Sequence, residues 1–341
     1  MLPRHKPSRM GEFDLIARYF KRPVRHAVLG VGDDCALLQP ALGTQLAVSC
    51  DMLVQGRHFF ADVDPRSLGH KALAVNLSDL AACGARPLAF TLALALPSAI
   101  DAWLAPFSEG LLALADAHGC ELVGGDTTRG PLNICITVFG EVPVVAGRSQ
   151  ALLRSGAQAG DDLYVSGTLG DARLALEALQ CKVTVPADVL AAARVRLECP
   201  TPRVALGLAL RGLATAAVDV SDGLLGDLGH ILAQSGVGAT IPIDDVTKLI
   251  ASKHYKTPAG GLFCSDIALH QWRVWALAGG DDYELLFTAP VAARSRVDAA
   301  ARASQTPVAR IGTINAERGL RLIDGQGHPV ANTFASFDHF G

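Results

Sequence analysis

Six short stretches of the sequence set aspartate close to glycine: GVGDDCALL (Gly30 to Leu38), SCDMLVQGRHF (Ser49 to Phe59), NLSDLAACGA (Asn76 to Ala85), GGDTTRGP (Gly124 to Pro131), DVSDGLLGDLGH (Asp219 to His230) and GGDDYEL (Gly279 to Leu285). Carboxylates are costly to gather in one place unless cations hold them together. Hard oxygen donors on loops and strand ends suit magnesium, which keeps several waters and shares its shell with substrate phosphates. The residue types therefore point to a multi-metal phosphate site.

Each stretch also has a plainer reading. Asp33-Asp34 follows a Gly-x-Gly turn and is either a solvated turn or a ligand pair, because Asp and Gly are common turn formers. In LAVSCDML the period of two puts Ser49 and Asp51 on one face of a strand and Val48 and Cys50 on the other. That polar face is open either to water or to a metal. Asn76 and Asp79 lie three apart on a helix whose neighbours Ala72, Leu73, Val75, Leu77 and Leu80 are apolar almost all round. A carboxylate there needs a partner, either a ligand or a structural hydrogen bond. His58 and His70 carry less weight, since a lone histidine is commonly a surface or satisfied core residue.

In DVSDGLLGDLGH the stripe Leu224, Leu225, Leu228, Ile231 and Leu232 predicts an amphipathic helix with Ser221 at its N-cap. Asp219 and Asp222 then flank a helix N-terminus, whose free N–H groups suit an anion. Carboxylates beside a phosphate seat make sense when a cation bridges them. Capping alone explains the helix start and leaves Asp219 without a role. GGDTTRGP offers a flexible backbone, a carboxylate, two hydroxyls and an arginine between two strands, and its plain alternative is a hairpin loop. Arg154 either reaches a nucleotide phosphate across a domain cleft or is solvated.

The elements that must carry these residues follow from the apolar runs. Leu46 to Leu53 and Leu88 to Leu96 read as buried strands, and CELVGG and NICITVFG as two more. Asp64-Pro65 opens a helix that Gly84 ends, and Trp103 to His118 forms a second. The turn-rich stretch 143–162 marks a domain boundary. Beyond it LYVSG and ATAAVDV read as strands, Asp171 as the cap of the helix ARLALEALQ, and 242–270 as an irregular excursion. This is an α/β (α+β) protein of two domains, 1–148 and 149–341, in keeping with its 341 residues and 35.6 kDa.

Composition narrows the function classes. Thirty Lys and Arg against 33 Asp and Glu leave a formal charge of -3, which makes no electrostatic case for coating nucleic acid, since that needs a basic face neutralising many phosphates. Half the residues are hydrophobic and 18% charged, which excludes a disordered chain. The eight cysteines form no C-x-x-C pair, and most of them read as buried small hydrophobes of a reduced protein. The basic start MLPRHKPSRM leads into GEFDLIARYF rather than an apolar run, and no window reaches 18 apolar residues, which gives a soluble, cytoplasmic expectation with no membrane partner. No P-loop, G-x-G-x-x-G, G-x-S-x-G or H-E-x-x-H motif occurs, so if this chain uses ATP, metals and aspartates must hold the phosphates in place of a Walker lysine.

In order and spacing, GEFDLIARYF, GVGDDCALL, DMLVQGRHF, KALAVNLSDLAACGARP, GGDTTRGP, DVSDGLLGDLGHI and GGDDYELLFT resemble the bacterial thiamine-monophosphate kinases, and the match spans nearly the whole chain. The resemblance implies the two-domain fold of the aminoimidazole ribonucleotide synthetase superfamily, an N-terminal sheet sharing a β-barrel in a homodimer, and transfer of the ATP γ-phosphoryl group to thiamine monophosphate, giving thiamine diphosphate and ADP. It implies magnesium ligands at Asp34, Ser49, Cys50, Asp51, Asp79, Asp126, Asp219 and Asp222, some through backbone or water. ATP would rest on Gly125, Asp126, Arg154 and Ser221, and the thiamine phosphate on His58, Asp281 and Phe337. The family commonly has Thr where Cys50 stands, leaving this chain only a main-chain carbonyl there, and Gly-Gly-Glu-Asp where this chain reads Gly280-Asp281-Asp282. Two alternatives are another ATP-using member of the superfamily and a non-enzymatic metal-binding protein.

Overall fold

The computed structural model describes residues 11–254 and 267–334. Its contacts divide into two compact units, one made of residues up to Asn76 with Pro87–Glu141, the other of Leu77–Arg86 with Val142 onward.

In the first unit a short helix α1 (Glu12–Leu15) runs into a π turn (Ile16–Phe20). Then follow β1 (Thr44–Val54), α2 (Pro65–Ala82), β2 (Arg86–Leu96), α3 (Asp101–His118), β3 (Glu121–Arg129), β4 (Asn133–Val145) and the two-residue β5 (Arg148–Ser149), of which Leu77–Arg86 and all residues from Val142 on count with the second unit. The sheet runs β1-β4-β2-β3, with β5 on β4. Asp64 caps α2, accepting from Ser67 N at 2.9 Å and Ser67 Oγ at 3.1 Å, and Gly84 ends it in the left-handed region at φ +64. Helices α2 and α3 touch backbone to backbone. A Cβ on Gly69 would strike the carbonyl of Phe107, and one on Gly110 the carbonyl of Arg66.

The second unit adds β6 (Asp162–Ser166), α4 (Asp171–Leu179), α5 (Ala187–Glu198), α6 (Val204–Ala209), β7 (Ala216–Val220), α7 (Leu224–Ser235), β8 (Gly238–Pro242), α8 (Ile243–Val246), α9 (Leu269–Ala278), β9 (Glu284–Ala289), α10 (Arg294–Ala303), β10 (Val308–Asn315), β11 (Gly319–Ile323) and β12 (Pro329–Val330). The mixed sheet is ordered β12-β11-β8-β10-β6-β9-β7. Its core joins Leu163, Val165, Val218, Val220 and Leu286 of the strands to Leu224, Leu228, Trp272 and Trp275 of the helices. Complete burial of these side chains is the main force holding α7 and α9 on the sheet.

Three local expectations are corrected. GGDTTR is not a hairpin loop. It continues β3, which pairs in parallel with β2 through Arg129 opposite Leu96, and β4 lies on the far side of β2. Asp171 does not cap its helix; Gly170 holds the N-cap, and the Asp171 carboxylate accepts from Ala251 N, Ser252 N and Ser252 Oγ. Those bonds tether the stretch after β8, which up to residue 254 is α8 followed by two 3-10 turns, Thr247–Leu249 and Ala251–His254, rather than irregular chain; residues 255–266 of the expected excursion lie outside the described residues. Among the described residues no helix is long and apolar enough to cross a membrane.

Candidate active site

In the first unit, pairing of β3 with β2 skips one residue at Val123, a bulge that re-aims the strand just before Gly124. Gly125 follows at φ +143, a conformation open to glycine, and a Cβ there would strike the Leu92 carbonyl. Beyond the bulge Gly124, Gly125, Asp126 and Thr127 line a cavity of about 600 Å³ that Asp33, Asp34 and Thr91 also line. Asp33 and Asp34 are both exposed there, and the Asp34 N–H donates to Asp33 Oδ1 at 3.2 Å. So Asp34, Gly125 and Asp126 come together, as oxygen donors around an open chamber.

Strand β1 alternates as expected. Ser49 and Asp51 are half-buried on the side of the buried Leu53, whereas Leu46, Val48, Cys50 and Met52 are exposed on the other. The Cys50 thiol lies 3.5 Å from the Cys135 thiol, which leaves its main chain as the part that shares the Ser49–Asp51 side of the strand. Ser49, Cys50 and Asp51 do not line the cavity, and β4 and β2 separate β1 from β3 in the sheet. Asn76 has a structural role: its Oδ1 accepts from Asp51 N at 3.1 Å while its Nδ2 donates to Ala72 O at 3.0 Å. His58 closes the turn after β1, its Nδ1 accepting from Val54 N at 3.0 Å.

In the second unit, the last turns of α2 bring Ser78 to Asp219 on β7, with Ser78 Oγ donating to Asp219 Oδ2 at 2.8 Å. From Lys71 to Leu80 every residue is buried except Asp79. The expected cap of α7 is corrected: Gly223 occupies the N-cap position, and Asp227, inside the first turn, accepts from Ser221 N at 3.1 Å and Asp222 N at 3.2 Å. Burial, and then the charge of Asp222, push the Asp227 carboxyl up to about 7 against the pull of those amides.

The chain before β9 runs beside the same turn. Asp281 N donates to Ser221 O at 2.9 Å and Tyr283 N to Val220 O at 2.8 Å. Asp281 and Tyr283 both sit at positive φ, +66 and +50. Asp219, Ser221, Asp222 and Asp281 are thus gathered at one end of β7. The next acid is structural: both oxygens of the fully buried Asp282 accept from Gly170 N at 3.0 Å, and burial holds its carboxyl well above the usual range. Glu284 is also fully buried, between Arg196, Arg203 and Ser166 Oγ.

Arg154 is exposed, and its backbone adjoins the other ends of β7 and α7: Ala217 N donates to Leu153 O at 2.8 Å and Ser235 Oγ to Arg154 O at 3.2 Å. Phe337 lies outside the described residues. Asp227 and Ser78 escaped the sequence reading although both stand inside quoted motifs; an acid in the first helical turn and a hydroxyl beside Asp79 were the available signals. Among the described residues no three His, Cys, Asp or Glu side chains form a ready cage for a metal ion. Every candidate metal ligand offers oxygen, Cys50 through its main chain, and paired carboxylates that leave room for water and phosphate match magnesium chemistry.

Comparison with known proteins places this arrangement. Residues 32–142 match the profile described as AIR synthase related protein, N-terminal domain, and residues 158–325 the corresponding C-terminal domain. The chain is 45% identical over 336 residues to the thiamine-monophosphate kinase of Salmonella typhimurium, covering 97% of this chain and 98% of that protein. Its fold superposes on the crystal structure of thiamine-monophosphate kinase from Stenotrophomonas maltophilia K279a with a TM-score of 0.78 and 45% identity, covering 93% and 95% of the two chains. AaThiL complexed with AMPPCP and TMP matches at a TM-score of 0.73 and 28% identity over 89% of each chain. With both domain profiles matched in order and nearly full-length identity to named kinases, the chain belongs to the AIR synthase related proteins and, within them, to the thiamine-monophosphate kinases.

Proposed function

We propose that this kinase transfers the γ-phosphoryl group of ATP directly, in line, to the phosphate of thiamine monophosphate, yielding thiamine diphosphate and ADP. The observation that carries the reading is the chamber of about 600 Å³ that Asp34 and Asp126 line together with Gly124 and Gly125 of β3, since glycine lets phosphate oxygens approach the main chain. Gly125 and Asp126, with Arg154 and Ser221, would hold ATP; His58, Asp281 and Phe337 would hold the thiamine phosphate.

Magnesium, when bound, would supply charge neutralisation for the phosphates. In the first unit Asp34, Asp51 and Asp126 would serve as ligands, helped by Ser49 and the Cys50 carbonyl, and in the second unit Asp79, Asp219 and Asp222 would. The residues' own task is to orient two phosphate-bearing ligands and to keep the carboxylates fixed, because a loose phosphoryl transition state asks for positioning and charge stabilisation. The acceptor is a phosphate monoester already ionised at neutral pH. No side chain is therefore needed as general base.

Residues 1–148 would form the half that binds ATP and metal and pairs with a second copy, and 149–341 the second α/β half. The exposed apolar face of β1, with Leu46, Val48 and Met52 each about half exposed, supports pairing of two such sheets in a homodimer. Of the seven free thiols among the described residues only Cys120 is buried, against the expectation of mostly buried cysteines, and thiols left exposed at Cys35, Cys50 and Cys181 support a reducing, cytoplasmic setting. The test is purified protein with ATP, magnesium and either thiamine monophosphate or free thiamine, products separated by chromatography. Thiamine diphosphate and ADP are expected from the monophosphate alone; turnover of free thiamine instead would overturn the assignment.

A further inference from the structure

We propose that Asp227 is a positioning residue for the phosphate site: its carboxylate fixes the backbone between β7 and α7 so that Ser221 and Asp222 present their side chains to the ligands. This rests on the reading that Ser221 and Asp222 hold magnesium-ATP.

The turn at 221–223 lies between β7 and α7, and the helix holds it only at its last residue, where Asp227 N donates to Gly223 O at 3.1 Å. Three further contacts set its shape. From below, one oxygen of Asp227, a side chain 3% exposed, takes the N–H groups of Ser221 and Asp222 at 3.1 and 3.2 Å. From beside, Asp281 N binds the Ser221 carbonyl at 2.9 Å. At the end, Gly223 turns the chain at φ +117, where any Cβ would lie within about 3 Å of the Ala278 backbone. The peptide groups around Ser221 are therefore fixed on both their N–H and C=O sides.

Two consequences follow. The amides of Ser221 and Asp222 are taken by the protein's own carboxylate, so these residues meet a ligand through hydroxyl and carboxylate and not through a backbone anion seat. And the aim of both side chains depends on an acceptor five and six residues further on. Simple stabilisation of α7 by an acid in its first turn would explain the same bonds. The two roles separate in kinetics, because a helix stabiliser changes melting whereas a positioning residue changes affinity for magnesium-ATP.

The experiment compares the full-length enzyme with Asp227→Ala, Asp227→Glu, Asp227→Asn and the control Ile231→Val, which thins the buried face of the same helix. Melting, kcat and the KM for magnesium-ATP are measured at a temperature where each variant is folded. The alanine and glutamate variants are expected to raise that KM by about tenfold or more, the range seen when support of a ligand is removed. The asparagine variant keeps an acceptor oxygen and is expected to recover most of the loss, and Ile231→Val to shift melting alone. An unchanged KM in Asp227→Ala and Asp227→Glu overturns the proposal. Should neither fold, amide exchange on the wild-type enzyme decides: slowed exchange at Ser221 and Asp222 is expected, and exchange at unprotected rates overturns it. Ser221→Ala and Asp222→Asn serve as references. If these leave the KM unchanged the nucleotide-site reading fails, whereas a raised KM there with none in the Asp227 variants sinks this proposal alone.

Discussion

Ser78 Oγ donates to Asp219 Oδ2 across 2.8 Å, and both side chains are buried. A residue that carries no ligand of its own thereby orients a carboxylate 141 positions away. Hydrogen bonds to charged groups contribute roughly 1.5–3 kcal/mol, so Ser78→Ala is expected to lower unfolding free energy by about that much in urea titration. It is also expected to raise the magnesium concentration needed for half-maximal turnover. Wild-type values of both would show that the bond contributes nothing.

Asp79 and Asp222 are only partly buried in largely buried surroundings, and the proposed function makes both of them magnesium ligands. Replacing either by asparagine keeps the shape and removes the charge. ADP production in saturating magnesium is expected to fall more than about 100-fold with melting temperature little changed. Near-normal turnover in both variants would remove them from the metal site.

Glu284 lies under two guanidinium groups with no exposure of its own, and Arg196 and Arg203 retain 18% and 15%. Glu284→Gln leaves those cations uncompensated. Breaking a buried pair this way costs roughly 3–5 kcal/mol, and the partial hydration of both arginines puts the expected loss near 3. Urea unfolding of the purified variant gives the number directly; a change below 1 kcal/mol would mean that water already screens the triad.

Acid stability should report Asp162. The hydrogen bond from Arg294 holds its carboxyl below the usual range against burial, with Arg310 and Tyr164 adding to the pull. A depressed folded-state value means the unfolded chain binds the proton more readily, so the pair stabilises above the unfolded carboxylate value near 3.9 and that contribution is lost as pH falls. Between about pH 5 and pH 3 the wild type should lose stability more steeply than Asp162→Asn. Parallel curves for the two proteins would show that the pair is not coupled to folding.

Much of this was legible in the sequence because the punctuation was strong. Asp64-Pro65 and Gly84 bracket α2, and the apolar runs Leu46 to Leu53 and Leu88 to Leu96 lie within β1 and β2. What escaped were choices made at long range or between rival acceptors. GGDTTR has turn composition, yet parallel pairing with β2 and the bulge at Val123 extend it as strand. Ser221 has the right type and place for an N-cap, but Asp227 reaches back from inside the helix and takes the amides before it. Asp171 and Asp282 exchange duties: the acid expected to cap α4 holds the Ala251–Ser252 amides, and Asp282 holds Gly170 at the helix start. No local spacing rule encodes such an exchange.

Helix α2, which carries Asn76, Ser78 and Asp79, is approached along its length by bare backbone: Gly69 and Gly110 meet at its crossing with α3, and a Cβ on Gly207 of α6 would strike the Ala81 carbonyl. At each of these three glycines even a single methyl group would collide with backbone, whatever its charge. A survey of tolerated substitutions would draw the chemistry and its scaffold as one immutable track, and the two separate only when each intolerant position is asked whether it rejects a charge change or merely a methyl group.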